Sequence, residues 1–350
     1  MKYDDFVYIP EHINFKQCIK NCYNRYHKIS HLPEPGPWPN IEMFLKHIFG
    51  EQYEAGLDYI KVLYIIPLQK LPVLCLVSSE KRTGKTTFIK LINAIFEMNV
   101  LKISNSSFSS NFNSDWNGKL IIALEEIKFE KDNLINKIKD LTTSQSFQVE
   151  KKGFDREFAP FFAKFIINSN HEMDFIRLED EDNRFWIRDI PSIKREDNKL
   201  FEKMENEIPH FLDFLIKRDF NFKNKTRFWF TKEVTWTKAL QRIRQSSRPK
   251  IEFVIAHALI SAMDYVDKND IQVSASDISN LLGGSGMRVS DNEVRKILKT
   301  NWKFKPVSNT LKYEKITKHP DGSFFKSDSK GRYYTIDRKF LEENFDELMN

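Results

Sequence analysis

Three runs of apolar residues alternate with amphipathic runs between positions 71 and 170 of the chain. The apolar runs occupy 71–77, 120–124 and 163–167, the last of which is interrupted by Lys164. The amphipathic runs, Thr86–Met98 and Leu134–Leu141, repeat apolar residues at helical spacing and predict helices. Strands that are buried on both faces of a parallel sheet read as continuous apolar runs. The pattern therefore predicts an α/β core built on a parallel sheet.

A candidate phosphate-binding loop joins the first predicted strand to the first predicted helix. It reads Ser79-Glu80-Lys81-Arg82-Thr83-Gly84-Lys85-Thr86-Thr87. The stretch matches G-x-x-x-x-G-K-[ST] except that Ser79 replaces the first glycine, which requires either a strained backbone or a different path into the loop. In such loops, backbone N–H groups and a helix N-terminus bind phosphates, Lys85 adds positive charge and the Thr86 hydroxyl ligates Mg²⁺. We therefore expect ATP and Mg²⁺ here; an ordinary strand-to-helix turn is the alternative.

Two carboxylates end the second predicted strand. Glu125 and Glu126 follow the apolar residues 120–124. A magnesium–nucleotide site needs one acid that holds metal-bound water and another that takes a proton from the attacking water. We assign the first role to Glu125, which together with Thr86 would hold the metal ion, and the second to Glu126. The alternative is an acidic strand end that only reaches solvent.

A basic and aromatic segment, Lys151-Lys152-Gly153-Phe154, precedes the third predicted strand. Gly153 suits the turn of a hairpin, which would place Lys151 and Lys152 at its tip. Two lysines and an aromatic ring can grip the backbone of single-stranded DNA and stack a base. The segment is therefore a candidate DNA-binding hairpin built from Lys151, Lys152 and Phe154, with a solvated charged turn as the alternative.

Amides end the third predicted strand, and an arginine among acidic residues follows it. Asn170, and less strongly Asn168, can orient the water that attacks the γ-phosphate, although asparagines also commonly end strands. Arg184 follows Asp180-Glu-Asp-Asn. It can reach the γ-phosphate bound to a neighbouring subunit as an arginine finger, or it can form a salt bridge within its own chain.

The composition describes a globular chain without a membrane or secretory signature. Its 350 residues are 41% hydrophobic and 30% charged, which suits one large core with one or two small domains. Lys and Arg number 55 against 49 Asp and Glu, an excess that permits a nucleic-acid partner without requiring one. The N-terminus lacks the apolar region of a signal peptide, and no run of 18 apolar residues occurs. We expect a cytoplasmic protein with no membrane partner.

Residues 1–70 are expected to form a helical segment ahead of the core. Helical spacing predicts helices over Phe15–His31, Ile41–Phe49 and Tyr53–Tyr64, with a proline-rich linker at 32–39. Two cysteines and two histidines in the first helix are of zinc-ligand type: Cys18, Cys22, His27 and His31. On a helix the cysteines face nearly opposite the histidines, so a plain helix is favoured over a zinc site.

The nucleotide-binding core is expected to occupy residues 71–220, and a winged-helix-like domain residues 221–350. Ser274 and Ser290 are predicted to cap two short helices, and strands are expected around 320–322 and 329–331. In that arrangement a recognition helix and a wing would contact DNA phosphates through Arg295, Lys296, Lys299 and Lys326 or Lys330. A winged helix that contacts only protein is the alternative.

The ordered set of candidate sites resembles a known family. The loop at 79–86, the acidic pair at 125–126, the hairpin at 151–154, Asn170 and Arg184 follow the order and approximate spacing of superfamily 3 helicases. These are AAA+-like motors of phages, plasmids and small viruses. The chain most resembles the helicase part of phage and plasmid primase-helicases of the D5/P4 type, over residues 40–191.

The resemblance implies a ring, usually a hexamer, with ATP between subunits and single-stranded or forked DNA in its central channel. It implies an ATP-dependent DNA helicase that replicates a phage or mobile element in a bacterial host. No primase metal motif occurs, so any primase or polymerase would be a separate partner. The chain departs from the family pattern at two positions. Ser79 replaces a glycine in the loop, and Phe185 follows Arg184, so that any requirement for a second, adjacent arginine is not met. Arg177 and Arg188 are candidate substitutes for that second arginine.

Two other functions fit the same residues. A replication initiator or DNA-binding protein would use ATP as a switch with little turnover, and Ser79 is the feature that favours it. A different P-loop DNA motor would hydrolyse ATP on DNA without separating strands. Hydrolysis stimulated by DNA distinguishes the switch from the motors, and strand separation distinguishes the two motors.

Overall fold

The computed structural model of the chain describes residues 3–104, 107–108, 110, 113–125, 132–153, 155–171, 176, 178, 182–194, 197–223, 225–283, 288–319 and 321–345. Two compact units divide the chain, Met1–Ser247 and Arg248–Asn350. None of the described helices is both long enough and apolar enough to cross a membrane.

The N-terminal residues form a small sheet and not the predicted helix. Strands β1 (Asp5–Val7), β2 (Cys18–Ile19) and β3 (Cys22–Asn24) pair in the order β1-β3-β2. The prediction of a helix over Phe15–His31 is therefore wrong. The Asn24 side chain explains the difference, because it is buried and bonds to the backbone of Ile9, Lys16 and Tyr26, in place of the helical pattern.

The loss of that helix does not create a zinc site. His31 Nε2 lies 2.9 Å from the carbonyl oxygen of Ala94. Across the described residues, no group of three or more His, Cys, Asp and Glu side chains is arranged to hold a metal ion.

Helices α1 (Pro39–Phe49) and α2 (Tyr53–Ile65) follow, in agreement with the two later helices predicted for this segment. Glu207 caps the start of α1, where its carboxylate accepts hydrogen bonds from the backbone N–H groups of Asn40 (3.2 Å) and Ile41 (2.9 Å). The first unit then continues through the following elements: β4 (Val73–Val77), α3 (Lys85–Phe96), β5 (Val100–Ile103), β6 (Ile121–Leu124), α4 (Asp132–Thr143), β7 (Ser146–Val149), β8 (Glu157–Pro160), β9 (Lys164–Ser169), β10 (Phe185–Asp189), α5 (Leu200–Lys217), α6 (Lys232–Thr235) and α7 (Lys238–Ser246).

The core of this unit is a five-stranded sheet in the order β10-β4-β9-β6-β5, and every pair in it is parallel. Alternate residues of β4 enter two different cores, because side chains alternate across a strand. Leu74 and Leu76 join the cluster that contains α1, α2, α3 and α5, whereas Cys75 joins the cluster on the opposite face with α4 and α7. The mixed α/β arrangement with an all-parallel sheet is consistent with a P-loop-like core.

The first unit extends further along the chain than the predicted boundary at 220/221. Trp229 and Phe230 belong to one hydrophobic cluster of the core, and Leu240 and Ile243 of α7 belong to the other. Apolar side chains of this stretch are therefore buried in the core of the first unit. The boundary between the units therefore lies at Ser247 and Arg248.

The second unit contains α8 (Lys250–Val266), β11 (Asp270–Val273), α9 (Ala275–Gly283), α10 (Asp291–Lys296), β12 (Leu311–Lys318), β13 (Phe324–Gly331), β14 (Tyr334–Asp337) and α11 (Arg338–Phe345). The predicted serine caps are confirmed: the Ser274 hydroxyl accepts from the N–H of Asp277 and the Ser290 hydroxyl from the N–H of Glu293. Strands β12 and β13 form an antiparallel hairpin. A winged-helix-like identity for this unit stays a prediction.

The ammonium of Lys164 is buried at the start of β9 beside apolar residues. It donates to the carbonyl oxygens of Pro67 and Phe162. Burial, with a smaller contribution from the neighbouring Lys70, lowers the pKa of Lys164 to about 7. In the unfolded chain the pKa of this lysine is near 10.4, so the unfolded chain binds the ammonium proton of Lys164 more tightly than the folded protein does.

We predict that this lysine makes stability rise with pH between about 7 and 10, by up to about 1.4 kcal/mol per pH unit. Chemical denaturation at a series of pH values should show a smaller rise in Lys164→Met than in the wild type. Lys16→Met, at an exposed position, serves as the control and should keep the wild-type slope. Identical slopes for Lys164→Met and wild type would contradict the assignment.

Candidate nucleotide site and hairpin

The candidate phosphate loop connects the end of β4 to the start of α3. Gly84 occupies the residue before the helix with φ of 90°, in the left-handed region that favours glycine. A Cβ at this position would lie 3.1 Å from the ring of Phe44, so the close packing also favours glycine. Lys85 is the first helical residue, and the helix N-terminus therefore opens onto the loop.

Ser79 does not strain the loop. Within the loop, Arg82 (φ 57°) and Gly84 take left-handed conformations, and Ser79 does not. The departure from the glycine pattern is thus accommodated without positive φ at residue 79, and the first of the two explanations for this serine, a strained backbone, is ruled out. Successive N–H groups around such left-handed residues form concave anion-binding arrangements.

Lys85 is 7% exposed and its ammonium lies over the loop. The Nζ atom is 3.2 Å from the carbonyl oxygen of Ser78 and 3.5 Å from that of Glu80. Thr86 is exposed in the first turn of the helix. The loop thus presents a cation, a hydroxyl and a helix N-terminus at one place.

Three neighbouring elements hold the loop. His47 of α1 places Nε2 3.0 Å from the carbonyl oxygen of Thr83. The N–H of Ile193, beyond β10, donates to the carbonyl oxygen of Arg82 at 3.1 Å, and the N–H of Ser78 donates to Ser169 of β9 at 3.3 Å. The last bond ties the loop directly to the strand that carries the candidate amides.

Polar side chains meet at the carboxyl edge of the sheet beside this loop. Asn168 pairs in register with Leu76 of β4, one residue from the strand's end, and Glu125 directly follows Leu124, which pairs with Ile167. Both amide atoms of Asn168 and Oε1 of Glu125 are buried and have no hydrogen-bond partner among the described residues. An unsatisfied buried polar group costs about 1–3 kcal/mol. These groups therefore fit a site whose ligand or water supplies the missing bonds.

The two candidate amides differ in their surroundings. Asn168 is 4% exposed within β9, whereas Asn170 follows the last strand residue and is exposed. The sequence favoured Asn170, and the burial of Asn168 makes it the stronger of the two for a site at the sheet edge. Glu126, Phe154 and Arg177 lie outside the described residues.

The side chain of Arg184 is engaged within its own chain. Its Nη1 lies 3.2 Å from Oδ2 of Asp182, which also pairs with Lys139 at 3.0 Å. Arg184 is nevertheless 35% exposed in its side chain, so it retains access to solvent. Arg188 is held inside, where Nη1 contacts Glu51 at 2.7 Å and Gln52 at 3.0 Å, and it therefore suits a structural role.

The hairpin predicted around residue 153 is confirmed. Strands β7 and β8 pair antiparallel, and Lys151, Lys152 and Gly153 lie exposed at the turn, with Gly153 at φ of 80°. Asn113 bonds to the hairpin backbone at Gln148 and Glu150. The role of the lysines in binding DNA stays a prediction.

Sequence patterns gave no sign of Phe158, the most exposed of the large apolar side chains described, at 77%. It lies on β8 directly opposite Gln148, whereas the neighbouring pair Phe147 and Ala159 is buried. One face of the hairpin thus presents an exposed aromatic ring. Side chains alternate between the two faces of a strand, so the sequence could have predicted the exposure of Phe158 only if the buried face of β8 had been known.

Comparisons with known proteins agree with a fold of this kind. The profile of a family described as a family of unknown function, DUF5906, matches residues 76–188. A DNA primase-polymerase of Nitratiruptor phage NrS-1 is 28% identical over 122 residues, which are 33% of this chain and 17% of that protein. The match thus spans about a sixth of the length of that relative.

Solved structures of the NrS-1 C-terminal region are similar over most of the chain. One apo structure has a TM-score of 0.66 at 15% identity and covers 95% of this chain and 84% of that one. An A-form apo structure has a TM-score of 0.63, also at 15% identity, with 90% and 80% covered. At this identity the likeness shows a shared fold.

We predict that Asn168→Leu raises the free energy of unfolding by about 1 kcal/mol, because it replaces a buried amide that lacks partners with an apolar side chain of similar size. Asn170→Ala, at an exposed position, should change stability by less than about 0.5 kcal/mol. Urea denaturation measures both. If Asn168→Leu lowers the free energy of unfolding by more than about 1 kcal/mol, the amide of Asn168 must form hydrogen bonds in the folded protein, which would contradict the prediction.

Proposed function

We propose that the chain is a replication protein of a phage or related mobile element and that it acts as an ATP-dependent DNA helicase of the superfamily 3 type. One observation carries the proposal. The phosphate loop, Glu125 and Asn168 meet at one edge of a parallel sheet, and buried polar atoms there have no partners among the described residues. The shared fold with the C-terminal region of NrS-1, and the local match to a phage primase-polymerase, support the replication context.

The residues divide into those that bind and those that move protons. Lys85 and the N-terminus of α3 would bind the phosphates of ATP, and Thr86 with Glu125 would hold Mg²⁺. The bound metal ion would neutralise charge on the phosphate oxygens. Glu126 would accept a proton from the attacking water, while the amide of Asn168, or of Asn170, would orient that water.

Arg184 would act on the ATP of a neighbouring subunit in a ring. Its 35% exposed side chain lies beside Asp182, so it would exchange this partner for the γ-phosphate when subunits assemble. The ring, expected to be a hexamer, would place the tips of the hairpins around a strand of DNA. Lys151, Lys152 and Phe154 would grip that strand, and a separate primase or polymerase would use the template.

An ATP-dependent switch is the second candidate, and the Asp182–Arg184 ion pair is the observation that favours it. If that pair persists on assembly, the arginine cannot reach a neighbour's phosphate, and turnover would be slow. Binding of ATP would then change the protein's state without driving movement along DNA.

We predict that single-stranded DNA stimulates ATP hydrolysis and that the protein separates a forked duplex. Glu126→Gln should bind ATP but lose about a hundredfold or more in hydrolysis rate, because it lacks the proton acceptor. Lys151→Ala/Lys152→Ala should lose strand separation and the stimulation by DNA, and the exposed-site control Lys16→Ala should keep both.

The same assays rank the alternatives. Slow hydrolysis that DNA does not stimulate would contradict the helicase proposal and support the switch. Hydrolysis that DNA stimulates without any strand separation would support a different P-loop motor.

A further inference from the structure

A groove of about 530 Å³ lies in the first unit, away from the phosphate loop. One wall comes from the small N-terminal sheet and the residues that directly follow its strands, and it includes Tyr8, Tyr23 and Arg25. The other wall comes from residues 114–119, which precede β6, and includes Lys119. None of these residues takes part in the proposed hydrolysis of ATP.

Aromatic rings form a partly exposed cluster beside the groove. Phe6 and Tyr23 are directly opposite each other on the paired strands β1 and β3, with ring centroids 6.4 Å apart. The ring centroids of Tyr3 and Tyr23 are 5.1 Å apart, in an edge-to-face arrangement. Phe6 is 52% exposed, and the guanidinium of Arg25 lies 3.6 Å from its ring centre. Sheets that display aromatic rings in this way offer faces on which nucleic-acid bases stack.

The charge of the groove is complementary to phosphate. Among the described residues that line it, Arg25, Lys28 and Lys119 carry positive charge and Asp115 carries the one carboxylate. Arg25 and Lys28 are exposed. Lys119 is held in place by a hydrogen bond from its Nζ to the carbonyl oxygen of Met98 at 2.6 Å.

Close packing and hydrogen bonds hold both walls of the groove in place. Gly118 has φ of 73°, and a Cβ there would come within 2.0 Å of the ring of Tyr8, so glycine lets the tyrosine pack directly on this turn. The N–H of His27 donates to the side chain of Asn99 at 3.1 Å, which fixes β3 and the residues after it to the core. The groove is therefore a preformed feature of the first unit.

The groove is also linked to the hairpin. Asn113 bonds to the backbone of Gln148 and Glu150 in the hairpin, and the residues that follow it, except the buried Trp116, line the groove up to Lys119. One short segment thus joins the two basic surfaces.

We propose that the groove binds single-stranded DNA, with bases stacked on Phe6 and Tyr23 and phosphates contacting Arg25 and Lys28. Aromatic faces beside cations favour single strands, because the bases of a duplex are already stacked on each other. The proposal stands apart from the ATP site and from the hairpin, since it rests on other residues.

Fluorescence anisotropy with a labelled oligothymidylate tests the proposal in the full chain carrying Lys151→Ala/Lys152→Ala, which removes the hairpin contribution. Adding Arg25→Ala/Lys28→Ala should weaken binding at least about fivefold and reduce the slope of log affinity against log salt by about 1.4, for two phosphate contacts. Phe6→Leu keeps an apolar side chain but removes the π face, and it should weaken binding about fivefold or more.

Lys16→Ala/Lys90→Ala is the matched control, because both lysines are exposed and neither lines the groove. It should keep the affinity and salt dependence of its parent. Crosslinking with 4-thiothymidine and mass spectrometry should place adducts on residues 6–28. Unchanged affinity and salt slope in Arg25→Ala/Lys28→Ala would overturn the proposal, as would adducts confined to residues outside both walls of the groove. Neither result depends on whether the protein hydrolyses ATP.

Discussion

The parallel register of β4, β9 and β6 is the constraint on which the candidate site depends. Hydrogen bonds pair Leu76 with Asn168, and Leu124 with Ile167, so the strands end at the same edge of the sheet. A shift of one residue in either pair would turn the polar side chains to the other face, because side chains alternate along a strand. The loop opens at that edge because it follows the carboxyl end of β4, which lies between β9 and β10 in the sheet. Strand pairing alone therefore brings three distant segments together.

The site is surrounded by well-packed structure but is itself incompletely bonded. Side chains on both faces of β4 are fully buried, and the loop is fixed from three sides. The amide of Asn168 and one oxygen of Glu125 nevertheless lack partners among the described residues. A rigid frame that holds unsatisfied polar groups is what a binding or catalytic site requires, and it lowers stability. Packing elsewhere in the unit offsets that cost.

The sequence predicted the elements that local patterns encode and missed those that depend on distant contacts. Strands β4, β6 and β9 were predicted because they are buried on both faces and read as apolar runs. Strand β10 was missed because it contains Arg188, whose charge is balanced by Glu51, far away in the chain. The N-terminal sheet was missed because Asn24, a single buried side chain, organises its backbone.

The site was predictable in type but less so in detail. The loop and the acidic strand end were recognisable from residue order and spacing. Periodicity could not show which of Asn168 and Asn170 is buried at the site, because residues two apart lie on the same face of a strand. The strand ends between them, at Ser169, and the sequence does not show where it ends. The sequence also could not show where the first unit ends, because Leu240 and Ile243 pack against strands that lie much earlier in the chain.

The most direct test of this account is the rate of magnesium-dependent ATP hydrolysis in wild type, Lys85→Ala and Lys90→Ala. The two lysines lie on the same helix, but Lys85 is buried at the loop and Lys90 is exposed one and a half turns further on. We expect hydrolysis by the wild type, a loss of about a hundredfold or more in Lys85→Ala, and wild-type rates in Lys90→Ala. Equal rates in the two variants, or a wild type that hydrolyses no ATP, would contradict the claim that this edge of the sheet is an ATP-hydrolysing site.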